Sequence, residues 1–131
     1  MKLLQPPNWP RPKGYANGVA AKGTLVFLSG IIGWNSEQKF TSFDFVGQVR
    51  QALQNIVTIL NEANAKPEHI VRMTWYVIDK KAYMASAREM GKVYREIIGS
   101  HYPAMSVVQV VALVEDQARV EIEVTAMAPD M

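Results

Sequence analysis

The chain has no cysteine, only two histidines and no long run of apolar residues. Without cysteine it can form neither a disulfide bond nor a thiolate nucleophile. His69 and His101 are far apart in the sequence and have no obvious carboxylate partner, so we predict neither a metal site nor a cofactor. No apolar segment approaches the roughly 20 residues of a membrane-spanning helix, and no membrane partner is expected.

The chain also lacks a strong excess of either charge. Its 14 basic and 12 acidic residues give a formal net charge of +2, and the basic residues are scattered, with Lys80-Lys81 as the only adjacent pair. A surface that captures RNA by electrostatics normally shows a basic stripe with interleaved aromatic residues. The sequence therefore predicts no nucleic-acid partner.

Length and composition predict a single domain. A chain of 131 residues, 49% hydrophobic and 20% charged, is typical of one soluble globular domain covering residues 1–131. Four of its seven prolines fall within residues 1–13, which predicts an extended N-terminal arm. This arm has neither the apolar core nor the cleavage site of a signal peptide, so we expect a cytoplasmic location.

Two segments near the C-terminus have the alternating pattern of β-strands. Residues 102–111 and 119–127 are rich in β-branched residues at a period of two, and a polar loop lies between them, so an adjacent strand pair is predicted. In the second strand, Val120, Ile122, Val124 and Ala126 fall on one face. The opposite face carries two carboxylates, Glu121 and Glu123.

The rest of the chain predicts an α+β domain. The pattern indicates, in order, a hairpin of strands at Tyr15–Ala20 and Thr24–Ser29, a helix from Thr41 or Ser42 to Asn64, a strand at Ile70–Ile78 and a helix between Asp79 and Gly99. Two helices on one face of a mixed sheet make a two-layer fold. Because strands 25–28 and 70–78 are apolar on both sides, another copy of the chain should cover the second face.

Several short motifs, read together, resemble the RidA (YjgF-like) family. They are Gly14-Tyr15, Ser29-Gly30, residues 48–56 in the first helix, residues 70–74 in the middle strand, and Tyr-Pro-Ala-Met-Ser at 102–106 followed by Val-Glu-Ile-Glu at 120–123. The resemblance covers nearly the whole chain. It implies a chorismate-mutase-like fold, a homotrimer, and small-molecule clefts between subunits.

The resemblance also identifies a departure at the substrate site. In the family, an arginine after Pro-Ala binds the carboxylate of an imine or enamine derived from an amino acid. A guanidinium suits this role because it donates two parallel charge-assisted hydrogen bonds. Here that position is Met105, so we do not expect the family's standard deamination of 2-imino acids.

Other site positions match the family or become more apolar. The resemblance implies that Tyr15, Ser29 and Gly30 contact the substrate and that Glu121 positions a hydrolytic water. Ile31 and Val107 replace a polar residue and a small thiol-bearing residue of the family. The candidate site is therefore Glu121 as the catalytic residue, with Tyr15, Ser29, Gly30, Ile31, Met105 and Val107 binding substrate.

The role of Glu121 stays open, because a salt bridge with Arg72 or Arg119 would make it structural. Arg72 lies among apolar neighbours, so we expect it to pair with a carboxylate of the sheet. Two functions follow. The first is a deaminase-like hydrolase that acts on an imine, an enamine or a related apolar small molecule. The second is a non-catalytic trimer with a small-molecule-binding or regulatory role. Endoribonuclease or translation-inhibitor activity rests on family labels alone.

Overall fold

The computed structural model of the protein describes residues 1–129. The strands are β1 (Lys2–Leu3), β2 (Val19–Ala20), β3 (Thr24–Phe27), β4 (Ile31–Ile32), β5 (Ile70–Val77), β6 (Ala104–Gln109) and β7 (Val120–Ala128). The helices are α1 (Phe45–Asn61), a short 3-10 helix (Pro67–His69), α2 (Lys80–Ala85) and α3 (Ala87–Ile97). No helix among these residues combines the length and apolar character that crossing a membrane requires.

The main sheet is mixed, with the order β3-β7-β5-β6, and β4 also pairs with β7. Strand β6 runs parallel to β5, whereas β7 runs antiparallel to β5. The predicted pairing of the two C-terminal strands is therefore wrong, because β5 lies between them. The alternating pattern identified both strands correctly, but it does not specify their neighbours.

The predicted N-terminal hairpin is also wrong. Strand β2 pairs with β1 from the N-terminal arm, and β3 pairs with β7. Gly23 lies between β2 and β3 with a φ of 141°. A Cβ atom at Gly23 would overlap the carbonyl oxygen of Ala128, so this glycine allows close backbone approach to β7.

Helices α1 and α3 pack against each other and cover one face of the sheet. Helix α1 begins at Phe45, later than predicted, because Asp44 is its N-cap. Asn64 adopts the left-handed conformation predicted for it, with a φ of 54°. The second predicted helix is interrupted at Ser86, which ends α2 and precedes α3.

The two faces of the sheet differ sharply. The four alternating residues of β7 face the helices and are buried, as predicted: Val120, Ile122, Val124 and Ala126. The opposite face is open in the single chain, where the side chains of Leu25 and Phe27 are 54% and 72% exposed. Strand β5 adds polar groups to this face, including Tyr76, which donates a hydrogen bond to Glu123.

Arg72 lies at an exposed position of β5. Its partners across the sheet are Ala104 and Thr125, and no ion pair forms at Arg72 within residues 1–129. The expected pairing with a carboxylate of the sheet is therefore wrong for the single chain. The apolar neighbours of Arg72 in sequence, Met73 and Trp75, point to the helix side instead.

The N-cap of α1 gives a pH-dependent prediction. Ser42 donates a 2.6 Å hydrogen bond to the carboxylate of Asp44, and Gly47 N–H donates to the same group. The Ser42 hydrogen bond is the main cause that lowers the pKa of Asp44. At neutral pH, Asp44→Ala should reduce the free energy of unfolding by about 1 kcal/mol.

The pH dependence follows from the sign of this pKa shift. A carboxyl group with a lowered folded-state pKa stabilises the fold above its ordinary pKa and loses that contribution as the pH falls through the folded value. Urea denaturation should therefore show wild type and Asp44→Ala converging in acid. Asp44→Asn, which keeps an accepting oxygen, should retain most of the stability at neutral pH. An equal loss for Asp44→Ala at both pH values would contradict this explanation.

Candidate functional site

The predicted site residues line two different depressions of the chain. Tyr15, Met105 and Val107 line a pocket of about 560 Å³, which we call the aromatic pocket. Ser29, Gly30, Ile31 and Glu121 line a second depression of about 730 Å³, which we call the polar depression. No residue lines both. Within one chain, the structure thus brings the predicted residues together as two groups and not as one site.

Strand β6 directs Met105 into the aromatic pocket. Met105 and Val107 lie opposite Met73 and Trp75 of β5. The arm reaches the same place because Ala16 N–H donates a 2.9 Å hydrogen bond to the carbonyl oxygen of Pro103. This contact brings Lys13, Gly14 and Tyr15 to the rim of the pocket, where all three are exposed.

Five aromatic side chains contribute to the pocket wall. Tyr94 stacks on Tyr102 with ring centroids 5.3 Å apart and an angle of 9° between the planes. The Tyr94 hydroxyl donates a 2.6 Å hydrogen bond to the carbonyl oxygen of His101. Burial is the main cause that raises the pKa of Tyr94, so its phenol stays neutral.

Trp75 lies deeper in the same wall and is 3% exposed. Its ring packs edge to face with Tyr83, and the ring centroids are 6.3 Å apart. The Nε1 atom of Trp75 is buried and has no hydrogen-bond acceptor in the described part of the chain. Among the described residues that line the pocket, Lys13 is the only charged one.

The polar depression is built around Glu121. Strand β4 pairs with β7 so that Ile32 lies opposite Glu121. A Cβ atom at Gly30 would overlap the Glu121 carboxylate, so the glycine lets this carboxylate lie against the backbone. No hydrogen bond or ion pair forms at the Glu121 side chain within residues 1–129. The alternative of a salt bridge with Arg72 or Arg119 is therefore wrong for the single chain.

Two amides of α1 that the motifs did not indicate fix backbone segments by hydrogen bonds, Asn55 at the wall of the polar depression and Gln48 at the start of β7. Asn55 donates hydrogen bonds to the carbonyl oxygens of Ile32 and Trp34. Gln48 is fully buried, donates to the carbonyl oxygen of Gln117 and accepts from the N–H of Arg119. The available signal was a polar residue at a core-facing position of an amphipathic helix, where a buried amide needs partners.

The architecture is that of a two-layer α+β protein with a mixed sheet and helices on one face. The family model described as Endoribonuclease L-PSP matches residues 9–128. The chain therefore belongs to this family, which includes the Rid and YjgF proteins, and the resemblance to RidA is confirmed.

Relatives and solved structures agree with this assignment. A RutC family protein of Aquifex aeolicus is 36% identical over 130 residues, which is 97% of this chain and 99% of the relative. The crystal structure of YyfB from Yersinia pestis, of the Rid family, has a TM-score of 0.82 at 26% identity and covers 96% of this chain and 97% of its own. A protein of Dermatophagoides farinae named 2-iminobutanoate/2-iminopropanoate deaminase is 28% identical over 123 residues, 93% of this chain and 92% of the relative.

Proposed function

We propose that the protein binds a small metabolite in clefts between the subunits of a homotrimer. The observation that carries this proposal is the division of the predicted site residues between the aromatic pocket and the polar depression. Tyr15 and Glu121 can act on one ligand if the pocket of one copy meets the depression of another. Exposed Leu25 and Phe27 offer an apolar surface for such an assembly.

The chemistry proposed for this cleft is hydrolysis of an imine or a related small molecule. The Glu121 carboxylate takes a proton from a water molecule as the water oxygen bonds to the imine carbon. The proton passes to the nitrogen and gives a carbinolamine. Glu121 then moves the hydroxyl proton to the same nitrogen as the carbon–nitrogen bond breaks, so that a carbonyl compound and ammonia leave. The deaminase name of the Dermatophagoides farinae relative supports this class of substrate.

A non-catalytic trimer that binds or senses a small molecule is the second candidate. Met105 favours it, because a thioether cannot provide the charge-assisted hydrogen bonds that an arginine gives to a substrate carboxylate. Endoribonuclease activity has the least support. Only one lysine and no arginine line the two depressions within residues 1–129, so neither offers a basic track for RNA.

Turnover of a panel of imines and enamines, generated in the assay, tests the enzymatic proposal. Glu121→Gln should lower kcat/KM by about two decades or more, because the variant cannot accept the proton of water. The matched control is Glu123→Gln on the same strand, since exposed Glu123 faces Tyr76 outside both depressions. Light scattering should show the same mass for all three proteins.

Two results would change this assignment. Equal activity of wild type and Glu121→Gln would remove Glu121 from the mechanism. Saturable binding of panel members without turnover by the wild type would establish the binding trimer in place of the enzyme.

A further inference from the structure

The aromatic pocket has a cation at its rim that the resemblance to RidA does not include. Lys13 is exposed and lines this pocket. Arg72 and Arg119 do not line it, and the guanidinium of Arg119 donates a hydrogen bond to the carbonyl oxygen of Phe43. Among the described residues that line the pocket, Lys13 therefore provides the positive charge for an anion that enters it.

The pocket is large compared with a three- or four-carbon imino acid. Its volume of about 560 Å³ falls in the range typical of drug-sized ligands. Five aromatic side chains line it, together with two methionines: Tyr15, Trp75, Tyr83, Tyr94, Tyr102, Met90 and Met105. Aromatic walls pack well against planar rings, and methionine adapts to irregular apolar shapes.

Polarity changes with depth in the pocket. Trp75, Met90 and Tyr94 are buried and form its inner wall, whereas Lys13 is exposed at the rim. An apolar body therefore fits inside, and an acidic group fits at the rim. The ammonium of Lys13 can remain hydrated while it binds such a group, which avoids the cost of burying a charge.

We infer that the aromatic pocket binds a monoanion with a planar apolar ring, in which Lys13 holds the acidic group and the aromatic wall holds the ring. The inference rests on the proposed small-molecule function and names its ligand class. It identifies Lys13 as a specificity-determining residue.

Three probes separate the ring from the charge: phenylacetate, neutral phenylacetamide, and acetate, which has no ring. Calorimetric titration of the assembled wild-type protein should rank phenylacetate first, with phenylacetamide about tenfold weaker. Acetate should show no saturable binding. Ring-containing probes should also quench tryptophan fluorescence, and Trp75→Phe should reduce this signal because Trp75 lines the pocket.

The variants test the role of Lys13 directly. Lys13→Gln should remove the preference for phenylacetate over phenylacetamide, and Lys13→Arg should retain it. Lys22→Gln is the matched control, since Lys22 is also exposed but lies outside both depressions, and it should behave like wild type.

The outcomes distinguish this inference from the function on which it rests. A Lys13→Gln variant that keeps the preference overturns the role of Lys13. Failure of both ring-containing probes to bind overturns the ligand class. In either case, turnover or binding of the imine panel would leave the proposed function standing. If neither the ring-containing probes nor the imines bind, both this inference and the proposed function are overturned.

Discussion

Phe27→Asp is expected to separate the protein into monomers near 14.7 kDa and to abolish ligand binding in the proposed cleft. Phe27 is 72% exposed in the single chain and lies on β3, an edge strand of the main sheet, beside exposed Leu25. Burying such a side chain between subunits contributes about 1.5–3 kcal/mol per copy. A buried carboxylate without a partner costs several kcal/mol more, and symmetry repeats the loss at every interface.

Light scattering at micromolar concentration measures this effect directly. Circular dichroism should show that Phe27→Asp keeps its fold, because the side chain has little contact to lose within one chain. Met84→Asp is the matched control, since Met84 is 66% exposed on α2 and lies outside the sheet. A monomeric wild type would contradict the proposed trimer, and a monomeric variant that still binds ligand would contradict the shared cleft.

Local patterns predicted the secondary structure well where one face of an element is buried. The alternation of β7 identified its buried face because a one-residue shift would place Val120 and Ile122 in solvent. The apolar spacing of α1 worked for the same reason. These signals depend only on which residues must leave water.

Strand neighbours could not be read in the same way. Residues 102–111 and 119–127 carry equally strong strand signals, but both β6 and β7 pair with β5. Nothing in a period of two specifies a partner strand, and proximity in sequence favoured the wrong one. The hairpin predicted around Gly23 was wrong for the same reason. This glycine does not form a hairpin turn but allows the backbone to lie close to the carbonyl oxygen of Ala128.

The positions of the predicted site residues in space could not be read from the sequence. The motifs indicated Tyr15, Met105 and Glu121, and the fold places them in two separate depressions. The place of Lys13 at the rim of the aromatic pocket was not indicated either, because Lys13 lies in a proline-rich arm without periodicity. Its position depends on the long-range contact between Ala16 and Pro103, which no local pattern encodes.

The substitution at Met105 leads to the second large effect. We expect the protein to deaminate 2-iminopropionate and 2-iminobutyrate with a kcat/KM about one to two decades below that of an arginine-bearing family member. The reason is that the lost charge-assisted hydrogen bonds are worth about 1.5–3 kcal/mol. Lys13 does not replace the arginine for these small substrates. It lies at the exposed rim and offers a point charge in place of a planar fork.

The gain-of-charge variant Met105→Arg tests this expectation from the opposite direction. Met105 lines the aromatic pocket from β6, so a guanidinium there can reach a carboxylate inside it, and kcat/KM for the two imines should rise by about tenfold or more. Met105→Gln, which has similar length without charge, should give a much smaller gain. Arg72→Ala and Arg119→Ala should leave the rates unchanged, since neither arginine lines the pocket. Wild-type turnover equal to that of an arginine-bearing relative under the same conditions would show that Met105 does not limit the reaction.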